Sequence, residues 1–284
     1  MMEHRDYEPK IRDTIVNGIF YPDEPEELET NLQELFRKAG TSPGAALGII
    51  SPHAGFNYSG VFAASAFLAA SERKNIASVV ILAPIHRDPE VGVFLPESDF
   101  FDTPLGRIPV DRSAVEALAN SSTLFVKNDI PHLEEHGVEI QLPFIRYLFP
   151  AASIVPLLIG DLSSSGVGGL ADALTLTFRD RYAETLFVVS ANLTNYMDFQ
   201  LGMNEADRLL ELILSKDVES MLAAHSAGRL SSCGVNGIAA LLSLENRGLE
   251  PELLSRGDSS AGNGDRKNGV HYASLAFRFG GENG

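Results

Sequence analysis

Cysteine is almost missing from this chain. Cys233 stands alone among 284 residues, which excludes an intrachain disulfide framework and suits a reducing compartment. Basic residues are also scarce, with 22 Lys and Arg against 38 Asp and Glu, a formal charge of -16. Because the few basic residues are scattered rather than clustered, neither a nucleic acid nor an anionic membrane is expected as a partner, and cations or small ligands are favoured. No apolar run approaches 18 residues, and the opening MMEHRDYEPK is charged without an apolar core. Neither a secretion signal nor a membrane span is therefore expected, and the expected location is the cytoplasm.

What is present is 44% hydrophobic residues, enough for a large core, arranged in recurring β-branched runs. These runs are Ala46 to Ile50, Ser78 to Leu82, Ile154 to Ile159, Leu186 to Ser190 and a late one from Tyr272 to Phe277. Near-continuous apolarity, rather than alternation, predicts strands covered on both faces. Helical spacing marks Glu24 to Ala39, through Leu28, Leu32, Leu35 and Phe36, and again Asn204 to Ala224. Strands alternating with helices predict an α/β layered domain with a central, mostly parallel or mixed sheet flanked by helices. Arg256 to Gly269, with four glycines, reads as a surface loop and lacks the Gly-Lys-Ser/Thr ending of a phosphate-binding loop.

Two of the seven histidines occupy equivalent places. Ile49-Ile50-Ser51-Pro52-His53 and Leu82-Ala83-Pro84-Ile85-His86 each run from a buried strand through a proline into a histidine. In open α/β sheets ligands sit beyond the carboxyl ends of the strands, so two such exits can bring imidazoles to one site. Taken singly, each also reads as a loop histidine capping backbone carbonyls.

In "PHLEEHGVEIQLPF", residues 131 to 144, His132, Glu135, His136 and Glu139 fall at i, i+3, i+4 and i+7, the spacing of one helix face. His132 and His136 share the i, i+4 spacing of the zinc-protease motif His-Glu-x-x-His, but Leu133 stands where its glutamate belongs, so the motif fails. A His/Glu cluster on a packed helix points to acid-base work or to support of a site, with a solvated acidic face as the plain alternative. Cys233 precedes an apolar helical run, Ile238 to Leu242, and a thiolate near a helix N-terminus is a better nucleophile and metal ligand. A buried structural cysteine is the competing reading.

Taken together the blocks "NGIFYPDEPEEL" (18 to 29), "PHAGFNYSG" (52 to 60), "VILAPIHR" (80 to 87), "DTPLGRIPVD" (102 to 111), "HLEEHGVEIQLPF" (132 to 144), "CGVNGI" (233 to 238) and "GVHYASLAF" (269 to 277) resemble the Memo family, nearly end to end. Its bacterial and archaeal members are often called AmmeMemoRadiSam system protein B, and its animal member is a mediator of cell motility. The resemblance implies one domain over residues 1 to 284 with a fold similar to the class III extradiol dioxygenases (LigB-like). It also implies a metal site on His53, His86 and Cys233. Iron or copper is the implied metal, with zinc as the alternative, since two imidazoles and a thiolate suit all three. A small-molecule or peptide ligand and a functional link to a radical-SAM protein are implied as well.

The chain departs from that family after Ser190. Relatives usually continue Ser-Asp-x-x-His, whereas here Asn192 and Asn195 replace the acid and the histidine. Asparagine forms hydrogen bonds but is neither a general base nor a good metal ligand near neutral pH. His136 and Glu139 are the candidate catalytic groups that remain, with Asn192, Asn195 and Tyr58 expected to line the pocket. Two readings follow: a metal-dependent oxidoreductase, or a metal- or peptide-binding protein without turnover. A zinc hydrolase using His132 and His136 is a more distant third.

Overall fold

The computed structural model describes residues 8–87, 91–244 and 248–279. Its centre is an eight-stranded mixed sheet whose strands, numbered along the chain, are β1 (Gly48–Ser51), β2 (Ser78–Pro84), β3 (Val93–Leu95), β4 (Phe125–Lys127), β5 (Ser153–Ile159), β6 (Thr185–Ser190), β7 (Leu249–Asp258) and β8 (His271–Phe279). Across the sheet they run in the order β7-β8-β1-β6-β2-β5-β3-β4. The four central strands β1, β6, β2 and β5 are mutually parallel; β8 joins β1, and β3 joins β5, in antiparallel fashion. All residues of β1, β2 and β6 are buried, as their continuous apolarity requires of strands covered on both faces.

Ten helices surround the sheet or bridge its ends among the described residues. They are α1 (Pro25–Lys38), α2 (Phe56–Leu68), α3 (Arg112–Ser121), α4 (Asp129–Glu134), α5 (Leu142–Leu148), α6 (Ser164–Phe178), α7 (Phe199–Leu214), α8 (Val218–Ser226), α9 (Val235–Leu242) and the short α10 (Ser260–Asn263). Helix α2 packs on β1, β7 and β8, while α9 packs on β2 and β6. Close approach in these layers depends on missing side chains. A Cβ at Gly60 in α2 would lie 2.9 Å from Leu35 of α1, so glycine is what lets the two helices touch.

Three expectations from the sequence are corrected. The helix expected from Asn204 to Ala224 is two helices, because Lys216 adopts a left-handed conformation (φ 57°) and Asp217 accepts from the Ser220 N–H, capping a new start. The face expected to carry His132 through Glu139 is not one helix. Chain leaves α4 at Glu134, Glu135 is extended (φ -95°, ψ 135°), and Glu139–Gln141 form a separate 3-10 turn. Gly137 in this crossing lies so close to the end of β2 that a Cβ would meet that of Ala83 at 3.3 Å. Finally, the loop expected from Arg256 begins as strand: Arg256, Gly257 and Asp258 pair with Ala273, Tyr272 and His271 before α10. The edge strand β7 and the short β3 and β4 had no sequence signal strong enough to name them.

Candidate metal centre

Three of the four central strand exits place a side chain at the same distance from the strand. His53 lies two residues past the end of β1, His86 two past β2, and Asn192 two past β6. Since these strands are parallel, all three emerge at one edge of the sheet, and they line a common cavity of about 550 Å³.

His53 is buried and held at both ends. Its backbone N–H donates to Asn192 Oδ1 at 3.1 Å, and its ring Nδ1 lies 3.1 Å from Ser190 Oγ. The Ser190 hydroxyl donates its single proton to the Gly137 carbonyl at 2.6 Å and accepts from Gln141 Nε2 at 3.0 Å. Ser190 therefore has only acceptor capacity left for the ring, so Nδ1 of His53 carries the hydrogen and Nε2 presents its lone pair. That Nε2 lies 3.5 Å from Cys233 Sγ.

His86 is fixed by a carboxylate instead. Glu135, buried at the extended corner after α4, accepts from the His86 N–H at 2.6 Å, from ring Nδ1 at 2.8 Å and from the Arg87 N–H at 3.3 Å. A carboxylate on Nδ1 turns Nε2 outward, the arrangement by which metal-ligating histidines are usually oriented. Glu135 is kept ionised: burial would raise its pKa, but the hydrogen bonds from His86 outweigh it. His86 is pushed up to about 10, since its hydrogen bonds with Cys233 and Glu135 overcome the opposing effect of burial. His53, by contrast, is driven well below its ordinary value by burial and by the neighbouring His86 and His136, and His136 is lowered to about 4 by burial and by His86. His53 and His136 are thus held neutral, ready to act as donors, whereas His86 must release its second proton before its Nε2 can bind a metal.

The third ring, His136, stacks on His86 with centroids 4.9 Å apart and stands edge-on to His53 at 5.5 Å. Ligand-type atoms of His53, His86 and His136 all lie within 4.8 Å of one another, so this cluster can hold a metal ion. The His136 ring differs from the other two in having no hydrogen-bond partner among the described residues; it is packed edge-to-face with Phe20 instead.

Cys233 reaches the site through a tight contact. It occupies the turn before α9, whose N-cap is Gly234, and a Cβ on Gly234 would lie 2.2 Å from the Cβ and 3.1 Å from the Cα of Ala191. Only glycine allows that turn to settle on the β6 exit. Ser232 Oγ reinforces it by donating to the Asn192 carbonyl at 2.6 Å.

Tyr58, Asn192 and Asn195 line the cavity, as do His136 and Cys233. Glu139 does not. It is fully buried beneath the site, ion-paired with Arg12, and accepts from Tyr21 OH at 2.8 Å and from the N–H groups of Ile15 and Val16 at 3.0 Å. Every lone pair is occupied, so the expected catalytic role gives way to a structural one: Glu139 anchors the amino-terminal segment. His132 also points away. Its Nε2 is 3.1 Å from the Phe94 carbonyl and its ring stands edge-on to Phe101, so the geometry behind the zinc-hydrolase reading is absent. Sequence reasoning missed Ser190 and Gln141 altogether and saw Glu135 only as a member of a helix face. A serine ending an apolar strand and a glutamate beside a histidine are too common to signal a site.

Comparison with known proteins gives these features a family. A model described as Memo-like protein matches residues 12–276. A MEMO1 family protein of Thermotoga neapolitana is 32% identical over 275 residues, covering 93% of this chain and 98% of its own. One of Nitrosopumilus maritimus is 31% identical over 278 residues, covering 94% and 99%. Among solved structures, an uncharacterized protein JW3007 from Escherichia coli K12 aligns with a TM-score of 0.45 at 11% identity, over 71% of this chain and 86% of that one. The chain belongs to the Memo family.

Proposed function

We propose that this chain binds one redox-active metal ion, iron or copper with zinc as the redox-silent alternative, through Nε2 of His53, Nε2 of His86 and Sγ of Cys233, and acts as a non-haem metal-dependent oxidoreductase. The observation that carries this reading is the paired orientation of the two histidines. Ser190 and Glu135 occupy the Nδ1 atoms, which leaves both Nε2 atoms facing the cavity that holds Cys233. Two imidazoles and a thiolate form a donor set that iron, copper and zinc accept.

When bound, such an ion supplies one-electron or Lewis-acid chemistry to a ligand beside it. The chain's own residues do the rest. His136, whose ring no described residue restrains by hydrogen bonding, accepts or donates a proton at the bound ligand. Phe20 closes one side against water. The Asn192 amide holds the His53 backbone and so fixes the strand exit. We propose further that residues 1–284 act as one domain in the cytoplasm, with a small-molecule or peptide ligand and a functional link to a radical-SAM protein.

A second reading, a pocket that holds metal or a peptide without turnover, is favoured by the amides at Asn192 and Asn195, which offer no acid or base. Anaerobic titration with iron(II), copper(I) and zinc of the parent and of His53→Ala, His86→Ala, Cys233→Ser and His136→Ala tests the ligand set. One stoichiometric site lost in the first three variants and retained in the last supports it. A site that survives Cys233→Ser and vanishes in His136→Ala replaces it with three histidines. Oxygen consumption that appears only after Asn192→Asp and Asn195→His are introduced supports the non-catalytic reading of the parent.

A further inference from the structure

The glycine-rich stretch after β7 has no role in the site described so far, yet it backs two tyrosines that line the cavity. A Cβ at Gly262 in α10 would lie 2.6 Å from Cδ1 of the Tyr58 ring, so the ring lies directly on this glycine. Two residues past α10, Asp265 accepts from Tyr196 OH at 3.3 Å. Both tyrosines line the cavity and both keep an open face, 40% and 62% exposed, and Ile19 beside them is 76% exposed. Exposed apolar side chains occurring singly need no explanation, but here three rim one concave site.

Among the described residues, none that lines this cavity is an aspartate, glutamate, lysine or arginine. The wall facing the histidines is made of amides and a hydroxyl, Asn192, Asn195 and Thr194. Charge at the floor also cancels. In the ligand set proposed above, a divalent ion is balanced by the Cys233 thiolate and the Glu135 carboxylate. A charged ligand would thus enter a partly desolvated site whose described lining offers it no counter-charge, which is costly, whereas rings and amides suit an uncharged planar molecule.

We propose that this pocket selects an uncharged, ring-bearing small molecule, held against Tyr58 and Tyr196, whose positions are set by the Gly262–Asp265 segment. The proposal deepens the functional reading above and rests on it for the metal-loaded state.

Because the chain contains no tryptophan, indole fluorescence excited to the red of tyrosine absorption reports binding without protein background. Indole, indole-3-acetate and tryptamine share one ring system and differ in charge. Each is titrated into the metal-loaded protein and into the metal-free protein, with metal content measured on the same samples. Indole is expected to bind about tenfold more tightly than either charged probe, equivalent to about 1.4 kcal/mol. Tyr58→Ala and Tyr196→Ala are each expected to weaken indole by roughly fivefold to tenfold, with metal stoichiometry unchanged. Gly262→Ala, which displaces the Tyr58 ring, is expected to act like Tyr58→Ala, and Asn195→Asp to move the preference toward tryptamine. Indole-3-acetate binding as tightly as indole, indole affinity within twofold of the parent in both tyrosine variants, or no detectable indole binding would each overturn the proposal. A parent that takes up no metal but ranks the probes as expected refutes the metal reading and leaves this one standing.

Discussion

Replacing Glu135 by Gln tests the metal centre at a residue that never touches the ion. In the parent, one carboxylate oxygen accepts from the His86 and Arg87 N–H groups at 2.6 and 3.3 Å, and the other from His86 Nδ1 at 2.8 Å. Glutamine can keep the first oxygen, but it then turns an amide NH2 toward Nδ1–H. Two donors cannot pair, so the imidazole must move its hydrogen to Nε2 or rotate away, and either change withdraws the lone pair from the cavity. Loss of the outer carboxylate on a ligating histidine typically weakens metal binding 10- to 100-fold, about 1.4 to 2.8 kcal/mol. Competition with a chromophoric chelator for zinc and, anaerobically, for iron(II) reads this directly. Glu134→Gln is the control: Glu134 is exposed and lies 3.8 Å from Arg87 Nη1, so its loss should change affinity less than about twofold. A Glu135→Gln protein that melts like the parent and binds metal within twofold of it would show that the carboxylate does not orient His86, and the proposed role of Nε2 would fall with it.

Further outcomes follow from other contacts. Gly234→Ala must push the Cys233 turn off Ala191, whose Cβ and Cα would lie 2.2 and 3.1 Å from the new methyl; thiolate-dependent metal affinity should drop at least tenfold, and an unchanged affinity for copper(I) would refute Cys233 as a ligand. Glu139→Gln leaves Arg12 buried without its counter-charge and should cost about 3 kcal/mol in urea denaturation while leaving metal stoichiometry at its parental value; a lost metal site in a folded variant would return Glu139 to the chemistry. His132 is lowered from 6.5 to about 4 by burial. Between those pH values the unfolded chain binds the extra proton, so this contribution is fully present above pH 6.5 and is lost as pH falls toward 4, on the order of 3 kcal/mol in all. His132→Asn should flatten the loss of urea stability between pH 6.5 and 4.5, and a parallel pH profile would remove His132 as its cause.

Much of this architecture was legible from residue order alone. Continuous apolar runs at Ser78 and Thr185 mark strands buried on both sides, because only a strand covered by helices can afford no polar face. Leu28, Leu32 and Leu35 mark α1 by their spacing, since a period of 3.6 puts them on one stripe. Strand exits carrying His53 and His86 were visible for the same reason: the chain must leave a parallel strand at its carboxyl end, and the residues found there face whatever that end encloses.

What the chain order could not supply is distance. Cys233 lies 180 residues from His53, and they meet only because β1 and β6 are neighbours and Gly234 lets the turn after them close. The helix face drawn through His132, Glu135, His136 and Glu139 failed because tertiary contacts override local period. Glu135 gains three hydrogen bonds by leaving the helix, and Glu139 gains Arg12 and Tyr21 by turning the other way. Four residues that a helix would have aligned are thereby divided among a buried anchor, a ring locked on Phe94, a support for His86 and an imidazole stacked on His86 in the cavity. Residue types and strand exits are properties of the sequence by itself, because they depend on neighbours along the chain. Which of those residues share a site is decided by packing, because it depends on neighbours across the sheet.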